Sequence, residues 1–545
     1  MVLSARGIFL FGKHMKKVFF LLFFLFSAVI PSRLCFASNV SVTNVSLTEQ
    51  DAENTTVKIE FDISWDNSWR NVINRDAVWV FARYYHSGDA QWYPIEWSGG
   101  TPGEGVALPT NWSAGTGTPL EFFIPYDAKD YYLTYGFILQ RSAEGSGSVD
   151  TDNVQFVWDW GGLDLTGVDS VIVKVFAIEM VYVGSGGFEI GDGDGANEST
   201  NAFHLTGSST YNTVQYEPSI TTVDPNAYDD AQLDIIGVGI DIALDANGDG
   251  TIDNGYFPTG FFGMYVMKYE ISQGQYVSFL NTLDSSMQAN RYPGYNGTNR
   301  HTISCSAGTC SYNSRADRAC NYLSWMDLCA YCDWAGLRPM TEPEFELAAR
   351  GNGSAYTSKE PVVGEYAWGT TSYNYAQTIS GTENGTETIS YPDGANVCYG
   401  GSGLSSGDAG NGPVRVGIFA TSTSNREKAG AGYQGAMELS GNVEEQCVSL
   451  GSSAGRNYDG SHGDGILIMA GTGIGNADNS GWPGYSSTAG VFFSTGSGRR
   501  GGSWASTGTE IATSDRSNAS NPVAGRDSGI GGRCVRSVGS YYPPP

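Results

Sequence analysis

Residues 324–344 read SWMDLCAYCDWAGLRPMTEPE and contain the clearest helix starts in the chain. Ser324 and Asp327 have the spacing of a capping box, in which two residues satisfy each other's backbone N–H groups. Gly336 lies where a glycine commonly ends a helix. The run Thr341-Glu-Pro-Glu344 repeats the capping box and has proline in its first turn. The stretch therefore predicts two helices joined by a short connection.

The rest of this C-terminal region is less regular. A third helix is predicted over Ser272–Leu283, where Tyr276, Phe279 and Leu280 share one face. After Gly351, glycine, serine, threonine and asparagine dominate and periodic stretches are few. We expect this part to consist mostly of loops, and loops of that length in a compact domain are usually functional.

The region before these helices has the pattern of β-structure. Apolar and polar residues alternate from Val57 to Trp65, as they do in a half-buried strand. Further β-rich runs cover 77–85, 131–139 and 171–176, with Gly, Pro, Ser and Asp between them. We predict an antiparallel β-sandwich over residues 38–176. Its tryptophans are more typical of a core than of a carbohydrate platform; they include Trp65, Trp69, Trp79, Trp92 and Trp97.

Composition and charge limit the function classes. The chain has 30 Lys and Arg against 57 Asp and Glu, a formal net charge of −27. Nucleic-acid binding needs clustered basic residues, so we expect no nucleic-acid partner. The one dense basic group, at residues 13–17, precedes an apolar run over 18–30 and the small residues before Ser38. This order predicts a signal peptide over residues 1–37, no transmembrane anchor, and a secreted or surface-associated protein.

Cysteine usage agrees with export. Outside the predicted signal peptide, every cysteine lies between Cys305 and Cys534. In an oxidising compartment these cysteines are expected to pair as disulfides. Cys305 and Cys310 are close enough in sequence to close a short loop, whereas other pairings stay open. The pair Cys329 and Cys332 has no second metal-binding pair at zinc spacing.

One acidic stretch is typical of a calcium loop. The run DANGDGTID over 245–253 places oxygen side chains at loop positions 1, 3, 5 and 9, and a glycine at position 6. The twelfth position is Tyr256 rather than glutamate, so a bound ion would need a ligand from elsewhere. We predict calcium here over the alternative of a solvated turn. The predicted ligands are Asp245, Asn247, Asp249 and Asp253.

Seven motifs occur in a characteristic order along the chain. They are IEMVYVGSGGFEIG at 178–191, MYVMKYEISQGQY at 264–276, AYCDWAGLRPMTE at 330–342, AARG at 348–351, AWG at 367–369, LSGNV at 439–443 and RGGSW at 500–504. Together they resemble the formylglycine-generating enzyme (sulfatase-modifying factor) family. The resemblance implies a loop-rich C-type lectin-like domain over residues 177–540, and hence an α+β protein overall.

The resemblance also implies where catalysis would occur. Active members of the family hold copper with two cysteines, three and eight residues after the serine of the RGGS motif. Counted from Ser503, these positions carry Ser506 and Ile511 in this chain. Neither side chain replaces a thiolate as a ligand for a soft metal. We therefore expect no bound copper, no catalytic residues and no oxidase activity.

Two further features follow from the resemblance. It implies a calcium site within 435–446, formed by Glu438, Gly441, Val443 and Glu445. It also implies a cystine between Cys332 and Cys534, since animal members join the corresponding helix and C-terminal strand.

The segment 505–527 is the predicted ligand-binding surface. It lies between the RGGSW motif and GGRCV at 531–535, and it has small, polar and charged residues without a helical or strand period. The arrangement resembles the variable proteins of diversity-generating retroelements, which implies side chains altered by adenine mutagenesis. The predicted ligand-binding residues are Trp504, Ser506, Thr507, Thr509, Glu510, Thr513, Ser514, Asp515, Arg516, Asn518 and Asn521. We expect replacement of Glu510, Arg516 and Asn518 to leave stability almost unchanged.

Three functions fit these observations. The first is a non-catalytic protein that binds a cell-surface protein or glycan through a lectin-like scaffold. The second is a divergent formylglycine-generating oxidoreductase. The third is a structural protein of an envelope or extracellular layer. The missing cysteines favour the first, because fold alone does not imply function. A neighbouring reverse transcriptase gene would support the first function, and neighbouring sulfatase genes would support the second.

Overall fold

The computed structural model describes residues 39–97, 111–125, 135–163, 170–186, 188–192, 256–351, 361–400 and 411–538. It also describes residues 4–8, 202–203, 212–214, 235–237, 240–242 and 254. The predicted calcium loop over 245–253 and the apolar run over 18–30 lie outside the described residues. Within the described part, no helix is both long and apolar enough to cross a membrane.

The N-terminal region is built from strands that form two sheets. The strands are β1 (Ser4–Ile8), β2 (Ser41–Asp51), β3 (Thr56–Arg70), β4 (Asp76–His86), β5 (Gln91–Pro94), β6 (Ser113–Gly117), β7 (Leu120–Phe123), β8 (Gly136–Arg141), β9 (Gly145–Asp159) and β10 (Ser170–Val183). One sheet is antiparallel with the order β2-β3-β9-β6. Its apolar face packs against β4, β8 and β10 of the second sheet. This arrangement confirms the predicted antiparallel packing of two sheets.

Alternation along β3 explains this core. The five apolar residues from Val57 to Trp65 are at most 2% exposed, and the polar residues between them face outward. Trp79 and Trp97 are also buried, whereas Trp69 and Trp92 are half-buried. The interpretation of these tryptophans as packing residues therefore agrees with the structure.

The C-terminal region has short elements in the residues that the structure describes. Its strands are β11 (Phe188–Ile190), β12 (Asn212–Val214), β13 (Ile235–Gly237), β14 (Ile240–Ile242), β15 (Met264–Met267), β16 (Ser304–Ser306), β17 (Thr309–Ser311), β18 (Arg338–Pro339), β19 (Thr378–Ser380), β20 (Thr388–Tyr391), β21 (Glu444–Val448), β22 (Tyr485–Ser486), β23 (Gly490–Val491), β24 (Ser497–Arg500), β25 (Ile530–Gly531) and β26 (Cys534–Ser537). Its helices are α1 (Gln273–Leu280), α2 (Ser285–Arg291), α3 (Trp325–Trp334), α4 (Glu342–Arg350), α5 (Arg426–Ala429) and α6 (Ser453–Arg456).

The predicted helix starts are confirmed. Ser324 caps α3 and Thr341 caps α4, each through a complete capping box. Gly336 follows the end of α3 with φ +67°, a left-handed conformation that glycine adopts without strain. The third predicted helix begins at the expected place, with Ser272 as its N-cap, and ends at Leu280.

One sheet joins the two regions. Its order is β18-β26-β15-β10-β4-β8-β7, with β5 added to β4. β1 is added to β10 and lies within the predicted signal peptide, so the sheet of a processed chain would lack this strand. The boundary that we predicted between residues 176 and 177 falls inside β10, which pairs with β4 on one side and β15 on the other. The indole of Trp79 also donates to the carbonyl of Ala335 at 2.7 Å. The two regions therefore share one apolar cluster on this sheet, which includes Trp79 and Phe81 of β4 and Trp334 of α3.

The cysteines only partly follow the prediction. Disulfides join Cys332 to Cys534 and Cys305 to Cys310, and both are as expected. The expectation that all eight cysteines pair is wrong, because the remaining four are buried as free thiols. They are Cys320, Cys329, Cys398 and Cys447.

Candidate functional site

The strands at the two ends of the 505–527 segment both pair with β21. β24 leads into the segment and β25 follows it. Both strands flank β21, β24 in antiparallel and β25 in parallel pairing. The segment is therefore a loop that leaves and returns to the same small sheet, so its end points are fixed.

The residues at the two positions that correspond to copper ligands make other contacts in this chain. The Ser506 hydroxyl accepts a hydrogen bond from the Ser503 backbone N–H at 3.0 Å. Ile511 is completely buried in an apolar cluster with Tyr366, Trp368 and Val397. One position is thus a local turn contact and the other is part of the core.

Three residues that we predicted to bind ligand face inward instead. Thr513, Ser514 and Arg516 are at most 5% exposed. The Arg516 guanidinium donates to both carboxylate oxygens of Glu342, at 2.7 and 3.0 Å, and lies 4.1 Å from the Phe203 ring centroid. Their assignment to the recognition surface is corrected, because all three are buried and Arg516 anchors the segment to α4.

Other predicted residues stay accessible. Thr507, Thr509 and Asn521 are exposed. Glu510 is half-buried and accepts from the Thr507 backbone N–H at 2.6 Å, which fixes the turn between them. Ser506, Asp515 and Asn518 are also half-buried. Trp504 is 8% exposed, and its indole donates to the Ser528 carbonyl at 2.9 Å, so its ring lies beneath the surface.

The acidic side chains predicted to hold calcium lie near β21. Glu438 and Glu445 are both buried, and one carboxylate oxygen of each has no hydrogen-bond partner. The other Glu438 oxygen accepts from the Gly417 backbone N–H at 2.7 Å. The other Glu445 oxygen accepts from Arg533 Nε at 2.8 Å. Buried carboxylate oxygens that lack donors are suitable ligands for a hard cation.

A third buried carboxylate belongs to this group, and the sequence analysis missed it. Glu270 accepts from the Val443 backbone N–H at 3.0 Å and also from the Asn442 side chain. Burial and the nearby Glu438 raise the pKa of Glu270 well above its ordinary value. Burial likewise raises the pKa of Glu438 to about 7. Arg533 lowers the pKa of all three carboxyl groups and so offsets part of their charge, and their role as cation ligands stays a prediction.

A second acidic cluster was not predicted. Carboxylate oxygens of Asp333, Asp464 and Asp478 lie within 4.8 Å of one another. Asp333, on α3, accepts from the backbone N–H of Asp464 at 3.1 Å and of Asp478 at 3.2 Å. Burial, followed by the neighbouring Asp464, raises the pKa of Asp333 well above its ordinary value. The sequence contains no spacing signal for this cluster, because its members come from distant segments.

The comparison with known families agrees with this architecture. The family model described as the sulfatase-modifying factor enzyme 1-like domain matches residues 258–538, which is more than half of the chain. The match includes the calcium candidates within 435–446, both disulfides and the 505–527 segment, whereas the predicted calcium loop over 245–253 lies outside it. The motif at 178–191 and the N-terminal sheets lie outside it. No curated protein matches the chain. Through residues 258–538, this chain belongs to the sulfatase-modifying factor enzyme 1-like family.

Proposed function

We propose that this chain is a non-catalytic ligand-binding protein that displays a recognition surface on the scaffold of its family. One observation carries the proposal. The positions that hold copper in active members are here a hydroxyl bonded to the neighbouring backbone and an isoleucine with no exposed surface.

These replacements remove the chemistry without removing the scaffold. The copper site of active members uses two thiolates, and neither an alcohol nor an alkyl group replaces a soft sulfur ligand. Ile511 instead contributes apolar packing beneath the segment. An ordered loop that has lost its metal ligands and keeps exposed polar side chains is suited to recognition.

The division between inward and outward side chains supports a recognition role for the 505–527 segment. Arg516 and Thr513 face inward, where Arg516 holds Glu342 and Thr513 N–H donates to the Glu365 carbonyl at 2.9 Å. Thr507, Thr509 and Asn521 are exposed to solvent. Changes at the exposed positions would leave the anchoring contacts intact. Such a loop suits diversification, which a neighbouring reverse transcriptase gene with a template repeat would support.

We further propose that calcium stabilises the scaffold at Glu438 and Glu445, with Gly441 and Val443 as the other family positions. Calcium would supply charge that offsets the buried carboxylates. Extracellular calcium concentrations suit weak sites of this kind. The disulfides agree with export, and the proposed partner is a cell-surface protein or glycan.

Paired threonine variants test the recognition surface. The full chain would be screened on a glycan array and a displayed peptide library, and each binder would be measured again with Thr507→Ala/Thr509→Ala. Thr386→Ala/Thr388→Ala is the matched control, because both of its threonines are exposed and have the same spacing. We expect only the first variant to weaken binding. Equal binding by all three proteins would place the recognition surface elsewhere.

A further inference from the structure

A cluster of aromatic side chains lies beside the 505–527 segment. We call Tyr366, Tyr373, Tyr375 and Tyr399 the tyrosine cluster. The ring centroid of Tyr373 lies 5.5 Å from that of Tyr366 and 5.0 Å from that of Tyr399. Tyr375 lies 5.6 Å from Tyr399. None of these tyrosines belongs to a motif that the sequence analysis used.

The cluster and the start of the segment form one surface. The Tyr366 hydroxyl donates to the Gly508 carbonyl at 3.3 Å. A Cβ atom placed on Gly508 would lie 3.9 Å from atoms of both Tyr373 and Tyr399. The backbone N–H of Gly400 donates to the Ser506 carbonyl at 3.2 Å. The strip 506–510 therefore runs directly along the tyrosine cluster.

Part of the cluster is open to solvent. Tyr373 is 43% exposed, Tyr375 and Tyr399 are half-buried, and Tyr366 is buried beneath them. Burial raises the pKa of Tyr366 and of Tyr399 above the ordinary value for a phenol. Both rings are therefore neutral at physiological pH, and their faces act through the ring quadrupole.

Neighbouring rings of the cluster pack edge to face, with interplanar angles of 85° between Tyr366 and Tyr373 and 87° between Tyr373 and Tyr399. This is not the arrangement of an aromatic cage, in which several ring faces converge on one cation. One exposed ring face still attracts a cation, so the surrounding charge decides between a cationic and a neutral ligand.

The side chains near the tyrosine cluster carry a net negative charge, which is complementary to a cationic ligand. Glu510 lies at the end of the strip. Burial raises the pKa of Glu444 and of Asp515, and the negative charge of the nearby Glu510 adds to both shifts. Arg499 pairs with Glu444, so these four side chains carry a net negative charge. The whole chain has a formal net charge of −27, which also attracts basic partners.

We propose that the tyrosine cluster and the strip 506–510 form a binding site for a cationic group, and that the partner is a protein that presents a lysine or arginine side chain there. This inference rests on the proposed function, since it names the partner chemistry of the same surface. Tyr373 supplies the exposed ring face and Glu510 supplies the carboxylate. The exposed threonines Thr507 and Thr509 border the site.

The test uses the full chain and three fluorescent forms of one oligolysine peptide: unmodified, trimethylated on every side chain, and acetylated on every side chain. Fluorescence anisotropy would measure binding to wild type, Tyr373→Leu, Glu510→Gln and Tyr256→Leu. Tyr256 is exposed and lies outside the cluster, so its variant is the matched control. Tyr373→Leu keeps the net charge, so it does not alter non-specific attraction between an acidic protein and a basic peptide.

We expect the unmodified and trimethylated peptides to bind, and the acetylated peptide not to bind. Tyr373→Leu should raise Kd for both cationic peptides by roughly three- to thirty-fold, as for a partly desolvated cation–π contact. Tyr256→Leu should leave Kd unchanged. Equal affinity of Tyr373→Leu and wild type would overturn the inference.

The glycan array described above separates this inference from the proposed function. Binding of a neutral glycan that depends on Thr507 and Thr509, without Tyr373-dependent binding of the cationic peptides, would overturn the cationic partner and leave the recognition surface in place. Formation of formylglycine by the chain would overturn the proposed function itself.

Discussion

At the scale of single residues, buried ion pairs decide which parts of the 505–527 segment can vary. Arg516 and Arg500 both contact Glu342, and all three side chains are almost completely buried. Removal of one member of such a group leaves an uncompensated charge in the interior. We therefore expect replacement of Arg516 to lower stability, in contrast to the prediction from the sequence.

Arg516→Ala should lower the free energy of unfolding by roughly 3 to 5 kcal/mol, because the Glu342 carboxylate loses its bidentate partner. Urea denaturation followed by tryptophan fluorescence would measure the change. Asn521→Ala is the control within the same segment, and since Asn521 is exposed its effect should stay within about 0.5 kcal/mol. Similar stability of the two variants would show that the ion pair is not buried as described.

The sequence could not distinguish these two residues. Arg516 and Asn521 both lie in a polar stretch without periodicity, and each is typical of a recognition loop. The partner of Arg516 lies on α4, far away in sequence, so its burial depends on the tertiary fold. The same reason explains why the cluster of Asp333, Asp464 and Asp478 was not predicted.

His301 gives a second residue-level prediction, for pH dependence. It is completely buried, and burial lowers its pKa from 6.5 to about 4. Between these values the unfolded chain binds a proton and the folded chain does not, so this contribution to stability falls as pH falls. Its loss between pH 7 and pH 5 is about 2 kcal/mol.

Denaturation of wild type and His301→Gln at both pH values would isolate this contribution, because glutamine does not titrate. We expect the wild type to lose about 2 kcal/mol more than the variant between pH 7 and pH 5. An identical pH response in the two proteins would mean that His301 has an ordinary pKa in the folded state.

At the scale of elements, local signals were predictable and long-range ones were not. The capping boxes of α3 and α4 were predicted because each lies within a few residues of sequence. β21 carries no such signal, although it fixes both ends of the recognition segment. Glu270 was missed as a buried carboxylate near the proposed calcium ligands, because it lies just after β15 and reaches Val443 only in the fold.

Removal of calcium should destabilise the scaffold around β21. Glu438 has a pKa of about 7 without metal because its charge is buried, and a bound cation would offset that cost. A calcium chelator should lower the Tm of the full chain by a few degrees, which corresponds to roughly 1 to 2 kcal/mol for a weak site. Differential scanning calorimetry would measure the shift.

Two variants assign the calcium effect to one of the predicted sites. Glu438→Gln should abolish most of the chelator response, whereas Asp249→Asn should affect only a site at residues 245–253. A Tm that does not respond to the chelator in the wild type would refute both sites. A response lost in Asp249→Asn and kept in Glu438→Gln would place the stabilising ion in the loop over 245–253.

At the scale of the whole molecule, the regions that the sequence separates are joined by one sheet. β10 pairs with β4 of the first region and with β15 of the second, and the pair Lys268 and Glu179 lies buried at this junction at 3.0 Å. The alternation along β3 and the β-rich run that forms β4 predicted strands, but pairing between β10 and β15 depends on residues far apart in sequence. The sheet therefore continues across the boundary that we predicted between residues 176 and 177.

Our central proposal is that this chain keeps the family scaffold without the oxidase chemistry. The most direct test incubates the full chain with copper, oxygen, a reductant and a peptide that carries a sulfatase motif, alongside an active member of the family as a positive control. Mass spectrometry would report the state of the peptide cysteine. We predict that the cysteine is unchanged by this chain and converted by the control. Conversion to formylglycine by this chain, with Ser506 and Ile511 in place, would contradict the account.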